Sequence, residues 1–197
     1  MIRHETIQDY VERLASGKPT PGGGATGALL LAQGAGLLAM AARFSDHEEL
    51  ARRAAALASH ALSVSDDDEQ AFAGVAEAFG LPQDTDGQQQ ERSERIQQET
   101  AAAAGPPQAL VAGGREALTI AEEVLADCRA TVLSDVGAGT AAVRGTLIAA
   151  ALTLETDLAP LKDEQVRARI RRDIEEAGAL VARADEIIDR VRERIRR

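Results

Sequence analysis

The sequence predicts an all-α fold, one up-and-down bundle of long antiparallel helices. Three observations carry this. Of 197 residues 45% are hydrophobic but only 2% aromatic, so the core must be built from Ala, Leu, Val and Ile. Such side chains favour close-packed helices over sheets, which lean on aromatic and β-branched residues. All six prolines (Pro19, Pro21, Pro82, Pro106, Pro107 and Pro160) fall at plausible breaks between helices. Apolar steps of three and four recur, and no segment longer than a few residues alternates as a strand would. The length suits a single domain over residues 1–197.

A first helix is expected over Thr6–Ser16, with Ile7, Tyr10, Val11 and Leu14 on one face. After the loop GKPTPGGG an uncharged helix runs to about Phe44. A third covers Asp46–Phe79 on the stripe Leu50, Ala54, Leu57, Ala61, Val64, Phe72, Val75 and Phe79, with one gap that Asp68 fills. LPQDTDG breaks it. A fourth starts near Gln88 and is bent or split at Gly105-Pro106-Pro107 before resuming to Cys128. Ser134 reads as the N-cap of a fifth, with Val143, Leu147, Ala150, Leu154 and Leu158 inward and Pro160 at its end. The last has the clearest period: Val166, Ile170, Ile174, Ala177, Val181, Ala184, Ile188, Val191 and Ile195. Helices of about 30 residues reach about 45 Å, which with this stripe predicts a symmetric homodimer.

A net charge of −10 argues against nucleic acid as a partner. One cysteine, Cys128, excludes a disulfide framework and an all-thiolate zinc site, and the cytoplasm is the simplest compartment. His4, His47 and His60 show no metal spacing, and no Ser-His-Asp constellation is legible, so neither metal nor covalent nucleophile is expected. The uncharged run Ala25–Ala42 is of borderline length for a membrane span. Its Thr26, Gly27, Gln33, Gly34 and Gly36, with Glu5, Asp9 and Glu12 ahead of it, predict a buried helix instead, with no membrane partner.

Chemistry has four candidate seats. The loop Gly17-Lys18-Pro19-Thr20-Pro21-Gly22-Gly23-Gly24 offers backbone N–H groups at a helix start, an anion site with Lys18 nearby; the plain alternative is a tight turn. Asp66, Asp67, Asp68 and Glu69 point in every direction around a helix, and Asp68 is the one aimed inward. A buried carboxylate needs donors, a cation or a proton. Ser134 and Asp135 open a helix, where both also suit simple capping and dipole roles. Thr153 and Asp157, four apart, share a face that lines a cleft or meets water.

TIQDYVERLASGKPTPGGGATGAL resembles the start of the cyclodeaminase/cyclohydrolase family, the C-terminal half of formiminotransferase-cyclodeaminase. Further segments match in order: Asp68-x-x-Ala71-Phe72, Arg92 to Gln97, Ser134-Asp135-Val136-Gly137 and Asp157-Leu158-x-x-Leu161-Lys162-Asp163. The resemblance implies a helical dimer handling tetrahydrofolate one-carbon units, with no cofactor beyond that substrate. It releases ammonia from the 5-formimino form or hydrolyses the 5,10-methenyl form. Both reactions pass through a tetrahedral carbon between two folate nitrogens and involve an amidinium-like cation that a carboxylate stabilises. On this reading Asp135 is the first candidate for proton transfer and Asp68 the second. Lys18, Pro21, Gly22, Gly23, Gly24, Arg92, Ser134, Thr153 and Asp157 would contact substrate. Ala25 stands where the family usually has Ser, Gln83 where it commonly has Lys, and Thr153 and Asp157 where it tends to have two Asn. These departures support the alternative: an inactive helical dimer that binds folate or serves as a scaffold.

Overall fold

The computed structural model describes residues 2–197, and among them every regular element is helical. In order they are α1 (Ile7–Leu14), α2 (Gly23–Phe44), α3 (Glu48–Phe79), α4 (Asp86–Ala103), α5 (Gly105–Asp127), α6 (Leu133–Leu158) and α7 (Glu164–Ile195). Single 3-10 turns lie at Ile2–His4 and Ala130–Val132.

Short polar signals set the helix ends. Thr6 accepts the Asp9 N–H while the Asp9 carboxylate accepts the Thr6 N–H, a reciprocal cap that starts α1. Thr85 and Gln88 repeat it at α4, and Asp163 accepts the Gln165 and Val166 N–H groups at α7. Pro106 and Pro107 sit in the first turn of α5, where a missing N–H leaves no hydrogen bond unmade, so the expected bend becomes a break at Ala104.

α2, uncharged as far as Arg43 in its last turn, packs against α3, α5 and α6, while α6 also carries α7 and α5. Small residues let α2 and α6 approach closely. A Cβ added at Gly27 would stand 3.2 Å from the Ala149 Cβ, and one at Gly34 only 2.8 Å from the Gly139 carbonyl. Positions therefore rise along α2 as they fall along α6. The Thr146 hydroxyl, fully buried, donates to the Gly27 carbonyl at 2.9 Å and ties the two backbones. Leu31, Leu38, Leu118, Leu147, Leu154, Ile170 and Ile187 fill the core around this contact. Residues Gly23–Phe44 and Ala130–Leu158 are long and apolar enough, by length and composition, to cross a membrane; in the fold 56% and 39% of those windows are buried.

Of the apolar face of α1 only Tyr10 is buried; Ile7, Val11 and Leu14 are 86%, 53% and 37% exposed. Two expectations need correction. Ser134 does not cap α6: the 3-10 turn Ala130–Val132 leads straight into the helix, Val132 holds the cap position without a side-chain bond, and Ser134 is exposed inside the first turn. On α7 it is Ile187, not Ile188, that is fully buried, because the inward face also takes Leu180.

Candidate functional site

The four consecutive acids of α3 separate in the fold. Asp66 accepts the Ile2 N–H at 2.7 Å, Asp67 faces solvent, and Glu69 takes two hydrogen bonds from Arg13 at 3.0 and 2.9 Å. Asp68 turns toward the start of α2. It fits there because Gly24 has no side chain: a Cβ would lie 1.9 Å from Asp68 Oδ1. The first N–H groups of a helix lack partners within it and favour negative charge, and the Ala25 N–H donates to this carboxylate. Burial still raises the Asp68 carboxyl above its usual range, with Ala25 pulling it down and Glu69 adding to the rise.

Asp157 lies in the last turn of α6 beside Asp68. Burial, then the charge of Asp68, pushes its carboxyl up to about 7, and its Oδ2 is buried without a hydrogen-bond partner. One turn back, the Thr153 hydroxyl donates to the Ala149 carbonyl at 3.0 Å and sits 4.0 Å from where a Gly23 Cβ would be.

The two carboxyls line a groove made of two adjoining hollows of about 610 and 460 Å³, which share Pro19, Asp68, Phe72, Thr153, Thr156 and Asp157. Gly22, Gly23 and Gly24 floor one hollow; Val75 and Phe79 wall the other. No lysine or arginine is among the lining residues. Thr100, 3% exposed, lines the apolar hollow with an unpartnered hydroxyl. The arrangement suits a flat, partly aromatic molecule with a cationic centre: aromatic faces beside a carboxyl pair in which Asp157 holds its proton more tightly.

Of the residues expected from sequence, the fold brings together Gly22, Gly23, Gly24, Asp68, Thr153 and Asp157. Pro21 is buried behind the loop and Lys18 is exposed beside it. Arg92 lies in a neighbouring cleft, over the Phe79 ring at 5.7 Å. Ser134 and Asp135 are not brought in: they occupy the first turn of α6 and Asp157 the last, roughly 33 Å away along the axis. Sequence reasoning placed Phe72 and Phe79 in the core stripe, yet they are 42% and 50% exposed at the groove. The signal was their position, one and three turns beyond Asp68 on its own helix. It gave none for Thr100, whose neighbours in the chain are Glu and Ala.

Comparison with known proteins adds three findings. Residues 6–176 match the family model described as Formiminotransferase-cyclodeaminase. A methenyltetrahydrofolate cyclohydrolase of Methylorubrum extorquens is 30% identical over 207 aligned positions, covering 100% of this chain and 98% of that protein. The crystal structure of formiminotetrahydrofolate cyclodeaminase from Thermotoga maritima shares the fold, with a TM-score of 0.82 at 19% identity over 100% of this chain and 98% of that one.

Proposed function

We infer from its place in a family (the chain belongs to the formiminotransferase-cyclodeaminase family) that this protein is a tetrahydrofolate one-carbon enzyme, and that it hydrolyses 5,10-methenyltetrahydrofolate to the 10-formyl form. The observation that carries the chemistry is the Asp68–Asp157 pair at the glycine-floored start of α2. The choice of hydrolysis follows the 30% identical cyclohydrolase.

The methenyl carbon bridges N5 and N10 as an amidinium cation. Ionised Asp68, held by the Ala25 N–H, stabilises that charge across an apolar groove. Water adds to the carbon as Asp68 takes one of its protons, which gives a neutral tetrahedral adduct. Asp68 then delivers this proton to N5 as the C–N5 bond breaks. The adduct hydroxyl loses its proton to solvent and becomes the formyl oxygen on N10. Asp157, neutral below about pH 7, offers a donor and an acceptor without placing a second negative charge beside Asp68. Its unpartnered oxygen and the Thr100 hydroxyl hold the water or a polar ring edge, and Phe72 and Phe79 stack on the flat rings.

The same reading takes residues 1–197 as a single domain and the working form as a cytoplasmic homodimer of antiparallel bundles that needs no cofactor. The dimer is supported by the uncovered apolar side chains Ile7 and Val11 on α1 and Ile148 and Leu152 on α6.

The test is the methenyl absorbance, followed with each of two substrates. Loss of the methenyl compound with formation of 10-formyltetrahydrofolate supports the hydrolase. Appearance of the methenyl compound from 5-formiminotetrahydrofolate makes the protein a cyclodeaminase. Absence of both reactions defeats the enzyme reading and leaves the scaffold.

A further inference from the structure

A second cleft, about 410 Å³, is lined by Gln83, Gln89, Arg92, Ser93, Ile96 and Gln97. All of these but Ile96 carry side-chain N–H or O–H donors. Arg92 lies over the Phe79 ring and donates to the Phe79 carbonyl at 3.1 Å, leaving its Nε buried without a partner. Lys162 stands at the rim: its Nζ donates to Ser93 at 3.4 Å and its backbone N–H to Gln97 at 2.7 Å. Gln97 in turn donates to the carbonyl of Pro160, which lines the groove itself. Groove and cleft are thus joined by contacts of Arg92 with Phe79 and of Gln97 with Pro160. Arg92 and Lys162 each make no ion pair with a carboxylate of the described residues, in a chain that carries net charge −10 and only two lysines. A half-buried Arg92 and an exposed Lys162 at the rim, both without carboxylates and beside an otherwise acidic groove, are placed for an incoming anion.

We propose that this cleft is the seat of a dicarboxylate tail on the substrate: Arg92 and Lys162 hold the two carboxylates of the glutamate that ends a tetrahydrofolate, while its ring system lies between Phe72, Phe79 and the Asp68–Asp157 pair. The proposal rests on the folate reading. It adds where the tail leaves the groove and which groups select for it. Gln83, Gln89 and Gln97 supply amide donors to the carboxylate oxygens not taken by the cations.

The experiment compares 5,10-methenyltetrahydrofolate with the tail-less 5,10-methenyltetrahydropteroate on the wild type, Lys162→Gln and Arg92→Gln. Loss of one charge-assisted contact is expected to raise KM for the glutamate substrate roughly 10- to 100-fold in each variant, with kcat changed less than about twofold. The tail-less substrate has a high KM on the wild type that neither variant raises further. Raised ionic strength increases KM for the glutamate substrate only. Lys162 is exposed, so its variant tests the site without touching the fold. A wild type that handles both substrates with the same KM, or variants that impair both equally, overturns the tail site while leaving the enzyme in place. A wild type inactive on both, and on the formimino compound, overturns the folate reading and the tail site with it.

Discussion

Asp68 and Asp157 are chemically the same side chain and differ only in what holds them. Asp68 has a backbone N–H at a helix start; the second oxygen of Asp157 has nothing. Asp68→Asn keeps the shape and one acceptor for Ala25 but cannot take a proton from water. Turnover is expected to fall by about 10²–10⁴ with the melting temperature unchanged or higher, and a variant of wild-type rate would remove Asp68 from the chemistry. For Asp157 the sign follows from the raised carboxyl. Between the ordinary value of 3.8 and about 7 the folded chain keeps a proton that the unfolded chain has released. Stability therefore declines as pH rises across that window and levels off above it. Asp157→Asn removes the decline and at pH 8 should be more stable by about 1–2 kcal/mol. In the wild type kcat should drop as pH passes about 7 and Asp157 ionises beside Asp68. A kcat profile of Asp157→Asn that keeps this limb would place it on another group.

At the scale of the element, α2 is defined by what it lacks. Gly34 faces the Gly139 carbonyl and the Val143 side chain, so Gly34→Ala forces the α2–α6 backbones apart and should cost about 1–3 kcal/mol in denaturant unfolding. Two positions on, Gly36 has open space, and Gly36→Ala should gain roughly 0.5–1 kcal/mol from helix propensity alone. Equal effects at the two sites would contradict the close packing described here. The sequence made most of these elements legible because their ends are local events: Thr85 with Gln88, Asp163 before α7, Pro106 and Pro107 at a break. It misplaced the start of α6 because a 3-10 turn, which has no strong side-chain signature, feeds the helix and sets its cap at Val132, two residues before Ser134. The shared face of Ile7, Tyr10, Val11 and Leu14 was legible but its exposure was not, because periodicity reports which side chains share a face, not whether anything covers that face.

For the whole molecule the same limit governs the site. The inward aim of Asp68 was legible, since it interrupts a regular apolar stripe on one helix. Its pairing with Asp157 was not, because that depends on how α6 crosses the start of α2, and no spacing along the chain encodes it. Asp135 looked the better candidate for an equally local reason, a carboxylate in a first helical turn; the fold leaves it at the far end of α6 from the groove. The uncovered apolar side chains of α1 and of α6 lead to a measurement on the intact protein. Light scattering at micromolar concentration should give twice the chain mass of 20.7 kDa. Ile148→Asp and Leu152→Asp together should shift it toward one chain mass, and a wild type at the single mass would defeat the dimer.

The central position of α2 also bears on how the chain leaves the ribosome. This apolar helix is complete by Phe44, but α6, which covers it from Gly27 to Gly34, begins only at Leu133. At about 5–20 residues per second the nascent chain carries α2 only partly covered for roughly 5–20 s. The helix best suited to the finished core is thus the stretch most in need of chaperone shelter during synthesis, and a chain stalled before α6 is the form most prone to aggregate.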